Sequence, residues 1–320
     1  MNPLRVAVVG VGALGKHHAR ILSSLPGVSL SAVVDINRAR AEEIAASHRA
    51  RALFEVGQLD GQVDAVTIAA PTQVHAEIAL PFLEAGIPVL VEKPIARTVS
   101  EADAMVAAAV RGGAALAVGH TERFNPAVAA ARNVLVDPRF IEVHRLGAFP
   151  ERSLDIDVVF DLMIHDLDIA LSLVPAEVET IDAVGIPVLT GRVDIANARL
   201  RFSNGCIANI TASRISRDRV RKIRFFQPSA YVSVDYAAQK LEVWRLVKGS
   251  GPMPAIEGGE IEVPNEEPLK RELEDFVQAV ATRRPPLVTG EQGRRALALA
   301  QQITDKMSAE LHARNHQNTK

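Results

Sequence analysis

Along the first 119 residues, short apolar runs alternate with longer stretches in which apolar positions recur at helical spacing. The runs have the length and the β-branched content of buried strands. Strands that alternate with helices in this way form a parallel sheet with helices on both faces. The pattern therefore predicts an α/β domain over residues 1–119, with Asn37 and Ser100 as candidate N-caps of two of its helices. The predicted strands are Leu4–Val9, Ser29–Val34, Leu53–Phe54, Asp64–Ala69, Val89–Val91 and Ala114–Val118.

The pattern changes between Glu177 and Val247, where β-rich runs follow one another with only short turns between them. Strands that are joined so closely pair mainly in the antiparallel sense. Before them lies Val158–Val174, a stretch that is apolar nearly all round and predicts a buried helix. Residues 120–320 are therefore predicted to form a second α/β domain with an open, mostly antiparallel sheet. One face of that sheet is a hypothetical surface for association into a homodimer or homotetramer.

Length and composition fit a two-domain globular protein of 320 residues, 48% hydrophobic and 23% charged. The formal net charge of −2 gives no electrostatic reason to expect nucleic acid or an anionic membrane as a partner. No apolar run reaches the about 18 residues of a membrane helix, and Leu4–Val9 is too short for a signal peptide. A single cysteine, Cys206, excludes an intramolecular disulfide and is typical of a reducing compartment. These features predict a cytoplasmic protein.

The first strand is followed by Gly10-Val11-Gly12-Ala13-Leu14-Gly15, a complete G-x-G-x-x-G motif that opens a predicted helix. In a dinucleotide-binding turn, the first glycine makes the tight turn, the second lets the backbone approach the pyrophosphate and the third lets helix and strand pack closely. The N-terminus of the helix then faces the phosphates. The motif in this context predicts a dinucleotide site. A glycine turn with a purely structural role is the alternative.

Asp35 ends the second predicted strand, twenty positions after Gly15. A carboxylate at this offset hydrogen-bonds the ribose hydroxyls of the adenosine and repels a 2′-phosphate. NAD is therefore favoured over NADP as the cofactor. Arg38 and Arg40 lie close behind Asp35 and are cations that would soften this preference.

The strand Val89–Val91 ends in Glu92-Lys93-Pro94. Ligands of open α/β sheets bind beyond the carboxyl ends of the strands, so Lys93 is predicted to lie at the rim of the ligand crevice. Pro94 has a fixed φ and no N–H, which ends the strand directly after the lysine. Ala70-Pro71-Thr72 ends a neighbouring strand on the same side. A strand-end lysine that is merely solvated is the alternative for Lys93.

Within the predicted buried helix, Asp161, His165, Asp168 and Ser172 recur at i, i+4, i+7 and i+11, which places them in one polar stripe. Buried carboxylates and imidazoles are costly unless they are paired. One interpretation is structural, with Asp161 satisfying His165. The other is catalytic, because histidine is the usual general acid or base near neutral pH and a neighbouring carboxylate sets its tautomer.

A metal site is a rival use of the same residues, with His120 or the His17-His18 pair as further ligands. These histidines lack the H-x-x-x-H spacing, and no cysteine-rich pattern accompanies them. Hydride transfer between an alcohol and a nicotinamide needs no metal. The sequence therefore predicts no metal.

The chain resembles the glucose–fructose oxidoreductase/inositol dehydrogenase (Gfo/Idh/MocA) family over essentially its whole length. The motifs that carry the resemblance are the glycine-rich turn, Asp35, Ala70-Pro71-Thr72 with His75, Glu92-Lys93-Pro94 and Asp161-x-x-x-His165. The resemblance implies a Rossmann domain followed by an α/β domain with an open antiparallel sheet. It also implies a Lys–Asp–His catalytic set, which here falls on Lys93, Asp161 and His165. The implied cofactor-binding residues are Gly10, Gly12, Ala13, Leu14, Gly15, Asp35, Ala70, Pro71, Thr72, His75, Glu92 and Lys93.

Two segments, Gly119–Pro126 and Asp161–Asp168, look like the branch of the family that oxidises the 3-hydroxyl of UDP-N-acetylglucosamine. In that branch the 3-oxo product goes to an aminotransferase, which gives a 2,3-diamino sugar for lipid A or related glycans. A UDP-sugar needs cations for its pyrophosphate. Candidate cations are Arg123, Arg145, Arg152 and Arg214, and the predicted substrate residues are Arg123, Asn125, Arg152 and His165.

The implied reaction is a reversible hydride transfer between a sugar carbinol carbon and the nicotinamide. His165 would take the hydroxyl proton, Asp161 would orient His165, and Lys93 would hydrogen-bond the developing alkoxide. The sequence leaves open whether Lys93 or His165 is the formal base.

Three alternatives remain open at this point. They are a dehydrogenase of a free sugar or polyol of the inositol type, an NAD-dependent glycoside hydrolase, and a dinucleotide-sensing regulator without catalysis. The joint presence of Lys93, Asp161 and His165 argues against the regulator, which needs no proton relay.

Overall fold

The computed structural model describes residues 2–59, 61–149, 156–248 and 254–317, with side chains up to residue 309. The chain forms two compact units. Unit 1 comprises Met1–Thr121 and Glu267–Leu297, and unit 2 comprises Glu122–Glu266 and Ala298–Lys320. The change of unit after Thr121 lies close to the predicted boundary at residue 119. The segment Glu267–Leu297 was predicted to belong to the second domain, but in the structure it belongs to unit 1.

The six strands that were predicted for residues 1–119 are all present, in the predicted order. The strands are β1 (Leu4–Val9), β2 (Val28–Val34), β3 (Arg51–Leu53), β4 (Ala65–Ile68), β5 (Val89–Glu92), β6 (Leu116–Gly119), β7 (Phe140–Leu146), β8 (Val178–Ile186), β9 (Ile195–Phe202), β10 (Ile207–Ser213), β11 (Val220–Gln227), β12 (Ala230–Asp235), β13 (Lys240–Val247) and β14 (Ala255–Ile261). The α-helices are α1 (Gly15–Leu22), α2 (Arg38–His48), α3 (His75–Glu84), α4 (Val99–Gly112), α5 (Pro126–Arg132), α6 (Ile164–Leu173), α7 (Pro268–Thr282) and α8 (Gly290–Gln317).

The sheet of unit 1 has six parallel strands in the order β3-β2-β1-β4-β5-β6. This is the strand order of the Rossmann fold, and it confirms the predicted parallel sheet. β4, β5 and β6 are buried along their whole length, which explains why the sequence shows continuous apolar runs instead of alternation. The glycine-rich turn, Ala70 and Lys93 follow the carboxyl ends of β1, β4 and β5 in turn.

The helices of unit 1 are fixed by caps and by the core. The Asn37 side chain accepts a hydrogen bond from the Arg40 N–H and caps α2 as predicted. Thr98 and not Ser100 caps α4, because Thr98 and Glu101 exchange side-chain to backbone hydrogen bonds in a capping box. α7 belongs to unit 1 because Leu273 and Phe276 are fully buried in the same apolar cluster as the residues of β1.

The sheet of unit 2 has eight strands in the order β14-β13-β12-β11-β7-β10-β9-β8. Only β7 and β10 pair in the parallel sense among these described strands, so the predicted mostly antiparallel sheet is confirmed. Residues on its inner face, such as Val143, Ile223 and Val232, are at most 1% exposed. The alternation of buried and half-buried positions along β7 reflects one covered and one open face.

An aromatic row crosses the open face of this sheet. Phe140, Phe226, Tyr231 and Trp244 are direct cross-strand partners on β7, β11, β12 and β13. The ring centroids of Phe140 and Phe226 lie 5.6 Å apart, and those of Phe226 and Tyr231 lie 5.2 Å apart. Trp244 and Phe226 are 41% and 38% exposed, which is unusual for side chains of this size.

None of the described helices is long and apolar enough to cross a membrane.

Candidate active site

The glycine-rich turn is shaped for close approach of a ligand. Gly10 has a φ of +82°, and a Cβ there would lie 2.7 Å from the Ala70 nitrogen. A Cβ at Gly15 would lie 1.8 Å from the Gly10 carbonyl oxygen, so both positions require glycine. At Gly12 the nearest atom to such a Cβ is Arg40 Nη1, 3.8 Å away, which leaves space beside the backbone. Together with exposed Ala13 and Leu14 at the start of α1, this turn fits the pyrophosphate of a dinucleotide.

Asp35 lies directly after β2 and is fixed against the same turn. Its Oδ2 accepts a hydrogen bond from the Val11 N–H at 2.9 Å, and its Oδ1 accepts one from the Asn37 N–H at 2.8 Å. Arg40 Nη1 lies 3.9 Å from Oδ2. Arg38 is engaged elsewhere, because its guanidinium stacks 4.3 Å over the Phe54 ring. Of the two predicted cations, Arg40 is therefore the one that lies within 4 Å of the Asp35 carboxylate.

The Asp35→Asn variant is expected to raise the ratio of kcat/KM for NADP to that for NAD by about 10- to 100-fold. Asparagine keeps an acceptor for the Val11 N–H but loses the charge that repels a 2′-phosphate. Arg40 is then free to bind the 2′-phosphate, and this hydrogen-bonded contact is worth ~1.5–3 kcal/mol. Steady-state kinetics with both cofactors measure the ratio. The double variant Asp35→Asn/Arg40→Ala is the matched control and should lose the gain, whereas adding Arg38→Ala instead should keep it. An unchanged ratio in the single variant would contradict this assignment.

Lys93 follows β5 and is half-buried. Its backbone N–H donates to Glu92 Oε2 at 3.3 Å. His75 holds the same region from the side of β4, with Nδ1 3.0 Å from the Pro94 carbonyl oxygen and Nε2 2.8 Å from the Ala70 carbonyl oxygen. One imidazole therefore ties the turn after β4 to the turn that contains the lysine.

The ring of His75 is 1% exposed, and burial lowers the pKa of His75. The neutral ring donates from one nitrogen at a time, so only one of its two carbonyl contacts is a hydrogen bond at any moment. His75 is therefore a buried link between Ala70 and Pro94, and its contact with the cofactor stays a prediction. Pro71 is exposed and Thr72 is half-buried at the start of α3, on the side where a cofactor is predicted.

The helix that was predicted over residues 158–174 begins with a π-helical turn, Val159–Met163, and continues as α6. A π-helical turn contains an extra residue and often occurs at functional sites. It changes the direction of Asp161 relative to an α-helical stripe. Asp161 and His165 are half-buried, whereas Asp168 is only 2% exposed. Ser172, the fourth member of the predicted stripe, is also half-buried, so the stripe is divided between three half-buried side chains and one in the interior.

Two buried ion pairs hold α6 in unit 2. Arg123 Nη1 lies 3.3 Å from Asp168 Oδ1. Arg145 binds Asp166 through two hydrogen bonds, of 2.6 and 3.1 Å, and reaches Glu122 Oε1 at 3.1 Å. Burial alone would lower the pKa of Arg145, but the carboxylates of Asp166 and Glu122 outweigh burial and raise this pKa. Helical periodicity does not indicate a role for Asp166, because Asp166 lies one position away from the polar stripe.

The predicted substrate residues thus have different environments. Arg123 is 4% exposed and paired with Asp168, and Asn125 is 1% exposed. Asn125 caps α5 by accepting the Ala127 N–H and donates to the Tyr236 carbonyl oxygen at 3.0 Å. Arg152 lies outside the described residues. Their roles toward substrate stay predictions.

The two remaining candidate cations are also committed to internal contacts. Arg145 is engaged by Asp166 and Glu122, as described above. Arg214 is 1% exposed, and its Nε donates to Asp194 at 2.9 Å while its Nη1 donates to the Ile156 carbonyl oxygen at 2.6 Å.

Two family models match the chain. The model described as "Oxidoreductase family, NAD-binding Rossmann fold" matches residues 4–120, and that of the GFO/IDH/MocA C-terminal domain matches residues 131–230. UDP-N-acetylglucosamine 3-dehydrogenase of Acidithiobacillus ferrooxidans is 40% identical over 307 residues, which cover 95% of this chain and 97% of the relative. scyllo-Inositol 2-dehydrogenase (NAD(+)) of Bacillus subtilis is 31% identical over 235 residues, which cover 67% and 68% of the two chains.

Solved structures agree with these matches. The structure of the A. ferrooxidans UDP-N-acetylglucosamine 3-dehydrogenase GnnA has a TM-score of 0.90 and 38% identity, covering 97% of this chain and 99% of that one. A levoglucosan dehydrogenase in complex with NADH and levoglucosan has a TM-score of 0.87 over 96% and 98% of the two chains. At 20% identity it shows a common fold.

Proposed function

This chain belongs to the Gfo/Idh/MocA family of NAD-dependent oxidoreductases, and we propose that it oxidises the 3-hydroxyl of UDP-N-acetylglucosamine or a closely related UDP-sugar. The observation that carries the proposal is the match to the A. ferrooxidans enzyme, which extends through both units with few residues unmatched. The glycine-rich turn and Asp35 would hold the pyrophosphate and adenosine ribose of NAD. The nicotinamide would supply the acceptor for the hydride of the sugar carbinol carbon.

The chain's own residues handle the proton and the developing charge. His165 takes the hydroxyl proton, and Asp161 sets the orientation of His165. Lys93 donates a hydrogen bond to the developing alkoxide and, in the reverse direction, polarises the ketone. This set is carried over from the family, and the half-burial of all three side chains agrees with contact to a ligand. Arg123, Asn125, Arg152 and His165 remain the proposed substrate residues.

Incubation with NAD and a panel of UDP-sugars, free sugars and polyols tests the proposal through the absorbance of NADH. UDP-N-acetylglucosamine is expected to have the highest kcat/KM, with a ketone at C3 of the product detectable by mass spectrometry. Free N-acetylglucosamine serves as the control for the contribution of the nucleotide. A preference for free polyols, or release of free UDP or sugar instead of a ketone, would contradict the proposal.

An inositol-type dehydrogenase is the second candidate, because the B. subtilis scyllo-inositol enzyme matches about two thirds of this chain. A UDP-sugar substrate is favoured because the A. ferrooxidans enzyme also matches the third of this chain that the scyllo-inositol enzyme leaves unmatched. The panel separates the two, since the inositol type has no need of a uridine diphosphate.

We also propose that the open face of the sheet in unit 2 joins two or four copies of the chain. The aromatic row is an apolar strip across four neighbouring strands, and exposed apolar strips of this kind mark association surfaces. Leu246 and Ile256, which are 50% and 71% exposed and pair across β13 and β14, extend the strip. Sedimentation of the wild-type protein as a monomer at micromolar concentration would contradict this.

The proposed product indicates where the enzyme acts. A 3-keto UDP-sugar is a substrate for an aminotransferase, and the resulting 2,3-diamino sugar would enter lipid A. We place this reaction in the cytoplasm, where the unpaired Cys206 stays reduced. Lipid A that keeps the same amino-sugar content after deletion of the gene would contradict this role.

A further inference from the structure

Three ionisable side chains from three elements meet in the interior of unit 1. His18 lies on α1, Glu92 ends β5 and Glu272 lies on α7, and their exposed fractions are 0%, 6% and 1%. His18 Nε2 lies 3.0 Å from Glu92 Oε1, and one polar atom of each side chain lies within 4.8 Å of the others. Neither carboxylate oxygen of Glu272 makes a hydrogen bond of normal length to a described residue.

The charges in this cluster are unbalanced. Burial raises the pKa of Glu272 well above its ordinary value, and the carboxylates of Glu92 and Asp275 add to the effect. The nearby Thr121 hydroxyl acts in the opposite direction and favours the charged form, but it does not outweigh burial. Two neighbouring carboxylates that are shielded from water cannot both stay ionised without a counter-charge. The one imidazole of the cluster lies at hydrogen-bond distance from Glu92, so Glu272 is left as the carboxylate that holds a proton.

Glu92 links the cluster to the lysine. Its Oε1 contacts His18, its Oε2 accepts the Lys93 N–H at 3.3 Å, and a Cβ on Gly119 would lie only 3.0 Å from Oε2. The Glu92 carboxylate is therefore held on three sides, by α1, by the backbone of Lys93 and by β6. Movement of Glu92 would move the end of β5 and the lysine with it.

We propose that Glu272 is a positioning residue for Lys93: it stays protonated beside Glu92, and the cluster fixes the end of β5. The role in catalysis rests on the proposed function of Lys93, whereas the protonation does not. A divalent cation is the other way to balance two buried carboxylates. The two explanations differ in their response to metal removal and to the Glu272→Gln substitution.

Thermal unfolding across pH tests the protonation independently of activity. Above about pH 5 an unfolded glutamate has lost its proton, whereas the folded state still holds the proton on Glu272. The wild type therefore loses stability as the pH rises toward the folded-state pKa of Glu272. Glu272→Gln mimics the neutral acid and removes this loss. The Tm advantage of Glu272→Gln over the wild type should therefore grow as pH rises. Glu274→Gln, on the exposed side of the same helix and paired with Lys270, is the control and should follow the wild type.

Parallel Tm curves for the wild type and Glu272→Gln would show that Glu272 is ionised, and would overturn the proposal. A second overturning result concerns the cation. If EDTA lowered the Tm of the wild type, and Zn²⁺ or Mg²⁺ restored it there but not in Glu272→Gln, the cluster would be a metal site.

Kinetics test the positioning. Glu272→Ala is expected to lower kcat about 10- to 100-fold, the effect of a small misplacement of a catalytic group, with the KM for NAD changed less than about twofold. Glu272→Gln should keep most of the wild-type kcat, because glutamine resembles the protonated acid. If a negative charge on Glu272 were required, Glu272→Gln would lose as much activity as Glu272→Ala. A wild-type kcat in Glu272→Ala would overturn the positioning role. Absence of dehydrogenase activity in the wild type would instead refute the proposed function and leave the thermal result intact.

Discussion

Replacement of Lys93 by alanine is expected to lower kcat for the UDP-sugar by about 10³-fold, while the affinity for NAD changes less than about twofold. The reason is the position of the lysine at the carboxyl end of β5, where a half-buried ammonium can donate to a developing alkoxide. A positioned proton donor or acceptor contributes about 10²–10⁴-fold to a rate. The glycine-rich turn and Asp35, which hold the cofactor, are unchanged in the variant.

Steady-state kinetics give kcat, and titration of NADH fluorescence gives the cofactor affinity. Lys270→Ala removes a lysine of unit 1 that is exposed and paired with Glu274, and it should behave as the wild type. Lys93→Arg keeps the positive charge but changes its shape, so it should recover little of the lost rate. If Lys93→Ala turned over at the wild-type rate, the lysine would be the merely solvated residue that its local sequence also allows.

The cofactor half of the site could be predicted because its signals are local. The glycines of the G-x-G-x-x-G motif serve backbone geometry within one turn, and Asp35 lies at a fixed offset along one βαβ unit. Asn37 caps α2 for the same reason, since an N-cap acts within three residues. The parallel sheet follows from apolar runs whose two faces are both buried.

The rest of the site depends on contacts between distant parts of the chain. Asp166 is buried because Arg145, on another element, binds it at 2.6 Å, and nothing near Asp166 in the sequence indicates that partner. Glu272 approaches Glu92 only because α7 returns to unit 1. The π-helical turn before α6 likewise depends on packing, and it divides a stripe that helical periodicity treats as uniform.

The second large effect concerns the stability of unit 2. Asp194 is fully buried just beneath the exposed loop at Val188–Thr190, and Oδ2 accepts the backbone N–H groups of Val188, Leu189 and Thr190 at 2.7–2.9 Å. Oδ1 accepts from Arg214 Nε at 2.9 Å. Arg214, considered from the sequence as a cation for pyrophosphate, thus shares a buried ion pair whose components lie twenty residues apart.

Asp194→Asn is expected to lower the free energy of unfolding by about 3–5 kcal/mol, because it breaks the buried ion pair between Asp194 and Arg214. The melting temperature should fall by about 5–10 °C. Asp137→Asn removes the partner of exposed Arg139 and serves as the control, with an expected change below about 1 kcal/mol. The double variant Asp194→Asn/Arg214→Met should be more stable than Asp194→Asn alone, since it also removes the buried guanidinium that Asp194 paired with. Equal stability of wild type and Asp194→Asn would contradict the structural role.

The same pair has a predictable dependence on pH. Burial alone would raise the pKa of Asp194, but the N–H donors of Leu189, Thr190 and Val188 outweigh burial and lower this pKa in the folded state. A carboxyl whose folded-state pKa is depressed contributes its full stability above the unfolded value of about 3.9 and loses it as pH falls through the folded-state pKa. The difference in unfolding free energy between wild type and Asp194→Asn should therefore be constant from neutral pH down to about pH 5 and shrink below about pH 4. A difference that already shrank between pH 7 and pH 6 would instead point to titration of a histidine, and Asp194 would not be its source.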